Sequence, residues 1–136
     1  MISSFHYIIR NLVNCLNIGI ITILFLGCHG TDCKKIPSSF KSFDQAETII
    51  ENGKFAFTDN VNTSKSSWIR GASFYSCDKI VGFFILKTDK ENYIYQDMPI
   101  NIWNSFKEAN SFGSYYNKVI KHHYQLVLAE WKVCMQ

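Results

Sequence analysis

Two short polar turns, Ser76–Lys79 and Thr88–Glu91, cut an aromatic and β-branched stretch into three runs of strand length, Trp68–Tyr75, Ile80–Lys87 and Asn92–Gln96. Turns this short join antiparallel neighbours, because a parallel pair needs a crossover of about a dozen residues or more. The stretch therefore predicts an antiparallel meander. In its middle run Phe84 and Leu86 point one way while Phe83 and Ile85 point the other, since side chains alternate along a strand. Apolar residues on both sides imply a central strand covered on both faces. Phe55–Val61 reads as a further strand, set off by the polar linker Asn62–Ser67. The sheet then has about four strands.

Helical spacing flanks the meander. Ser42-Phe-Asp-Gln45 has the form of a capping box and opens a helix whose Phe43, Ala46, Ile49 and Ile50 fall on one stripe. Gly53 should end it as a left-handed C′ residue. Pro99 suits a first helical turn, and Ile102, Trp103, Phe106 and Ala109 follow at helical intervals. A last helix is expected from about Ser114, with Tyr116, Val119, Ile120 and Tyr124 on one side and Lys118, Lys121 and His122 mostly on the other. Residues 126–136 are apolar in Leu126, Leu128, Trp131 and Val133, a pattern that does not choose between helix and strand. The fold class is α+β: a small antiparallel meander packed with two to three short helices. Trp103, Phe106, Ile120, Phe84 and Leu86 should be buried together between them. At 136 residues, 47% apolar and 15% aromatic, the chain has material for one core and one domain.

The N-terminal part has a different character. After Arg10 comes the apolar run Ile18–Gly27, ten residues long, which closes on Leu26-Gly27-Cys28. That is the length of a signal h-region, whereas a spanning helix needs about 20 residues. A small residue followed by cysteine resembles the bacterial lipobox, in which cleavage precedes a cysteine already carrying a diacylglycerol thioether. Residues 1–27 read as a lipoprotein-type export signal, Cys28 as the lipidation site, and the partner of that end as a membrane. Phe25 departs from the usual leucine, and Arg10 is a thin positive region. The other readings are an uncleaved anchor helix from about Asn11 to Gly27, or a cytosolic chain with a misassigned start. With the first two, the domain lies outside the cytoplasm, in the periplasm or at the cell surface. Gly30–Ser39, polar and containing Pro37, reads as a tether.

With Cys15 removed and Cys28 lipidated, Cys33, Cys77 and Cys134 allow one disulfide at most, in any of three pairings. Metal binding finds no support. A thioether is not a thiolate ligand, and His122 and His123 sit about 100° apart on a helix, unlike an i,i+4 pair. No G-x-S-x-G elbow, H-E-x-x-H, phosphate-cradling glycine loop or dinucleotide fingerprint is present. No enzyme activity and no cofactor are expected. The formal charge of +3 is too mild to indicate nucleic acid by itself.

One ordered series of residues points to a family. Tyr93-Ile-Tyr95 and Met98-Pro99 precede Ala109-x-Ser111-x-Gly113-x-Tyr115-Tyr116-Asn117-x-x-Ile120-Lys121-x-x-Tyr124. Together they resemble the YxY, VP and closing motif of KTSC domains, with Ile69 and Tyr75 at the expected first strand. Met98 replaces the commoner valine, and Thr88–Glu91 lacks the usual turn glycine. Such domains occur at the C-terminus of some lysyl-tRNA synthetases and as small bacterial proteins. The resemblance implies a non-catalytic domain, for which RNA binding has been suggested. The chain then divides into an export signal (1–27), a tether (28–41), a helix–strand extension (42–67), a KTSC-like domain (68–125) and a tail (126–136).

The candidate binding residues are Tyr93, Tyr95, Arg70, Asn117, Lys118 and Lys121. Tyr93 and Tyr95 share a strand face and would either stack bases or pack into the core. Asn117 would bridge backbone groups or touch a ligand. Arg70, Lys118, Lys121 and His122 would form a basic patch or a solvated face. Ser111 and Gly113 fit an interhelix turn, with Gly113 at positive φ or in close approach. The expected function is an exported binding module for a peptide, glycan or envelope partner. The alternative is an RNA-binding domain, which an extracytoplasmic address would disfavour.

Overall fold

The computed structural model describes residues 32–129. The expected export signal, the expected lipidation site Cys28, Cys134 and residues 130–136 of the tail lie outside the described residues. Helix α1 spans Phe43–Glu51, and strands β1 (Phe57–Val61), β2 (Ile69–Ser76), β3 (Val81–Thr88) and β4 (Asn92–Pro99) follow. Helix α2 is Ile100–Glu108, and α3 is Phe112–Tyr115, continued by a π-helical turn over Tyr116–Ile120. The sheet is an antiparallel meander in the order β1-β2-β3-β4. The α+β class and the helix-and-meander architecture hold.

One row of side chains across the sheet organises the main core. Asp59, Phe74, Phe84 and Tyr95 stand opposite one another on β1, β2, β3 and β4. The second helical layer lies on this row. Trp103 stacks on Phe74 with centroids 5.8 Å apart, and Phe106 meets Phe84 edge-on at 5.3 Å. Trp103, Phe106, Ile120, Phe84 and Leu86 are buried in one cluster, as their spacing requires. Asp59 closes the row with a charge: its Oδ2 accepts from Trp103 Nε1 at 2.9 Å and from Lys107 Nζ at 2.6 Å. An inward carboxylate on an edge strand also discourages pairing with another chain.

The opposite face carries a smaller core of Phe40, Ala46, Ile50, Ile85 and Ile94. Here Ile85 and Phe83 point away from Phe84 and Leu86, so β3 is covered on both sides. Helix α1 lies on this face and is tied to the sheet by Glu51–Lys87 at 2.6 Å and by Asn92 donating to Glu47 at 2.6 Å. Ser42 caps it as expected, accepting from the Gln45 N–H at 3.2 Å. Gln45 reaches back to the N–H of Lys41, one residue earlier than a capping box would have it.

Several local expectations need correction. Gly53 does not have positive φ; a Cβ there would lie 2.6 Å from the Phe55 ring, so close packing is what demands glycine. Phe43, placed on the apolar stripe of α1, is 51% exposed. Strand β1 begins at Phe57, because Phe55 turns into the back core beside Tyr75 at 5.4 Å. Strand β4 continues to Pro99 through a bulge at Asp97 (φ 58°), which returns Met98 to the side of Tyr95. The last helix starts at Phe112, with Ser111 as its cap.

The largest correction concerns the tether. Cys33 is disulfide-bonded to Cys77 with Cα atoms 5.7 Å apart, which selects one of the three pairings. The backbone of Asp32 forms an isolated parallel β-bridge with that of Lys54, and Phe40 is 1% exposed. Phe40 also exchanges backbone hydrogen bonds with Val127 and Ala129, at 2.9 and 2.7 Å. Residues 33–40 are therefore a folded part of the back layer. The start of the tail, Leu126 and Leu128, packs there as an extended segment.

Candidate functional site

The linker Asn62–Ser67, the β3–β4 turn and the α2–α3 turn meet at one end of the sheet, and Trp68 stands among them. Ser66 fixes its backbone: the hydroxyl accepts from the N–H groups of Trp68 and Ile69, at 3.4 and 3.0 Å. Its ring meets Tyr116 edge-on with centroids 5.7 Å apart. On the remaining edge the indole lies against Gly113, where an added Cβ would come within 2.8 Å of Nε1. Gly113 has no positive φ, so its role is close approach.

Trp68 is half-buried and walls two clefts. One, of about 380 Å³, runs between Ser66–Ser67 and the turn Asn110–Gly113. The other, of about 250 Å³, lies between Trp68 and Tyr93 and is floored by Thr88, Asp89 and Lys90. Among the described residues, Trp68 Nε1 has no hydrogen-bond partner, whereas the buried Trp103 has Asp59. An aromatic surface with a spare donor, beside hydroxyls and an amide, can stack on a flat or ringed group and hydrogen-bond its rim.

The six sequence candidates do not form one site. Tyr95 is 6% exposed, and its hydroxyl shares a 2.6 Å hydrogen bond with that of Tyr116. Burial pushes both phenols above their ordinary value. Tyr95 is thus a core residue and offers no stacking face. Tyr93 is half-buried against Tyr116 and donates to Glu91 Oε1 at 2.5 Å; that carboxylate pushes its phenol up to about 12. Only its flank reaches the second cleft.

Arg70 is the extra residue of a bulge in β2, between Ile69 and Gly71. A bulge re-aims the side chain it carries. Here the guanidinium grips Asp89 with both oxygens, at 2.5 and 2.6 Å, and also donates to the Ser67 carbonyl at 3.0 Å. It braces the linker against the β3–β4 turn. Asn117, Lys118 and Lys121 are exposed on the outer side of the last helix and line neither cleft. Asn117 bridges no backbone groups among the described residues. Its exposure leaves it available to a ligand on that helix face only.

Sequence reasoning passed over Trp68 as a site residue, treating it as the start of a strand. The available signal was a lone tryptophan directly after a serine-rich linker. The partner that shapes its surroundings, Gly113, is far away in sequence, so the pairing became visible only in three dimensions.

Ser66 and Ser111 spend their hydroxyls on backbone N–H groups, and among the described residues no histidine lines either cleft. Among the described residues there is no cluster of three or more metal-ligating side chains, and no helix is long and apolar enough to cross a membrane. Searches of the curated proteins and of the solved structures return no match. The family model of the KTSC domain matches residues 84–124, from within β3 to Tyr124.

Proposed function

We propose that this chain is an exported, lipid-anchored, non-catalytic binding module whose ligand contact centres on Trp68. The observation that carries the binding reading is the half-buried indole between two clefts, with its Nε1–H unpartnered among the described residues. The structural tyrosines, by contrast, are consumed by internal contacts. The export reading rests on Leu26-Gly27-Cys28 and is supported by the Cys33–Cys77 disulfide, since such bonds persist in oxidising compartments.

Two measurements test the proposal. Membrane fractionation with a lipid label on wild type and Cys28→Ala should show label and membrane association only in wild type. Titration with soluble glycan–peptide fragments of the cell envelope should show binding that Trp68→Ala loses while its thermal melt stays cooperative. Micromolar binding of single-stranded RNA at physiological salt, lost in Lys118→Ala and Lys121→Ala, would instead favour a nucleic-acid-binding domain, whose phosphate contacts make affinity fall steeply with salt.

A further inference from the structure

The Cys33–Cys77 disulfide ties the beginning of the described chain to the β2–β3 hairpin. Phe57 opposite Ser76 and Val81 opposite Pro99 place the start of β1 and the end of β4 at this same pole. Trp68 and the β3–β4 turn lie at the other end of the strands. Eight residues of β2 separate them, roughly 25 Å at the rise of a strand.

The hairpin tip at the disulfide pole is a built feature. Ser76 Oγ accepts from the Lys79 N–H at 2.9 Å, and Asp78 Oδ1 accepts from the N–H groups of Ile80 and Val81 at 2.8 and 3.0 Å. Lys79 is held at φ 62°, and the Ile80 carbonyl accepts from the Ile100 N–H at 2.9 Å. The tip so fixed presents Ile80 at 67% exposure. Around it stand Lys34, Lys35, Lys54 and Lys79, all exposed and none in an ion pair with a described residue. Asp32, Asp78 and Asp97 share this pole, so its charge is only slightly positive.

Chain length supplies the partner. A free tether from Cys28 to Lys41 could extend about 45 Å. Because Cys33 is fixed to the sheet, the usable span from Cys28 is five residues, at most about 18 Å. We infer that the Ile80 hairpin tip, with Lys34, Lys35, Lys54 and Lys79, rests on the lipid surface into which Cys28 is anchored, so that the Trp68 clefts face away from it. This rests on the lipid-anchor reading. Lysine stems can lie along a bilayer surface with their ammonium groups among anionic headgroups, and an exposed isoleucine inserts between them.

The test uses the purified full chain in mixed phosphatidylglycerol–phosphatidylcholine vesicles and in detergent micelles. Lysines are labelled with a membrane-impermeant amine reagent and mapped by mass spectrometry, which also reports the Cys28 lipid. The expected result is several-fold protection of Lys34, Lys35, Lys54 and Lys79 in vesicles relative to micelles, with Lys65 and Lys118 unchanged. Lys79→Glu combined with Ile80→Ser should abolish the protection at Lys54 while the disulfide, read by mass, stays intact. Equal labelling in vesicles and micelles on a chain that carries the lipid overturns the inference and leaves the anchor standing. A chain without lipid that does not associate with vesicles overturns both.

Discussion

The hydroxyls of Tyr95 and Tyr116 share a 2.6 Å hydrogen bond beneath the last helix, and burial holds both phenols above their ordinary value. The unfolded chain ionises tyrosine near pH 10, so it loses protons before the folded chain does. The stability this pair contributes is full below about pH 10 and is lost as pH rises through the folded values. Alkaline unfolding followed by far-UV circular dichroism should therefore shift in Tyr95→Phe. At neutral pH each single Tyr→Phe change strands one buried hydroxyl and should cost about 1–3 kcal/mol. The double change should cost less than the sum; an additive urea-denaturation cycle would show that the hydroxyls do not depend on each other.

Phe106 lies against Phe84, Trp103, Phe112 and Tyr115, with ring centroids 5.1 to 6.1 Å away, and is fully buried. Phe106→Ala should lower unfolding free energy by about 3–5 kcal/mol, measured as a fall in denaturant midpoint at unchanged slope. A neutral outcome would contradict the helix-on-sheet packing.

At low pH the sensitive group is Asp59. The hydrogen bond from Lys107 holds its carboxyl below the usual carboxylate range, with Trp103 adding to the effect. A depressed folded value means that the contribution is present above about pH 4, where the unfolded carboxylate ionises, and is lost as pH falls through the folded value. Asp59→Asn keeps an acceptor for Trp103 and removes only the charge. It should flatten the acid limb of the stability profile and cost no more than about 1 kcal/mol at pH 7, since the ion pair is partly solvated.

Cys33 and Cys77 are 44 residues apart, and closing such a loop in the unfolded chain corresponds to about 4 kcal/mol in the chain-entropy treatment. Reduction, or Cys33→Ser, should lower the melting temperature and expose the back core around Phe40 to hydrogen exchange, while amides of β2 and β3 stay protected. Uniform loss of protection would show that the two layers do not open separately.

What was legible in the sequence follows the range of the interactions. Alternation along β3 assigned Phe83, Phe84, Ile85 and Leu86 to their faces, because side-chain direction is a property of neighbouring residues. The Ser42 cap and the register of Trp103 and Phe106 were readable for the same reason. Phe40 was hidden, since a single phenylalanine among Lys, Ser and Pro looks like tether until its partners at Val127 and Ala129 are known. The bulge at Asp97 breaks the alternation without a glycine to mark it, and Gly71 beside Arg70 does not by itself distinguish a bulge from a close backbone approach. Trp68 and Gly113 define the candidate site through a contact between distant segments, so neither residue's surroundings announced it.

The ladder between Phe40 and residues 127–129 joins the two ends of the described chain. Every strand pairing in the sheet, by contrast, links neighbours in sequence. Local pairings form at little loop-closure cost, whereas the Phe40 ladder must wait for the whole domain to be made. A segment that leaves the ribosome early is thus expected to find its place late, after crossing any export machinery. Folding kinetics should record this as φ values near zero at Phe40 and Leu128 and larger ones across β2 and β3. Until that step, Ile85 and Ile94 have only the cover of helix α1, so the half-made chain offers chaperones part of an apolar sheet face that the finished protein conceals.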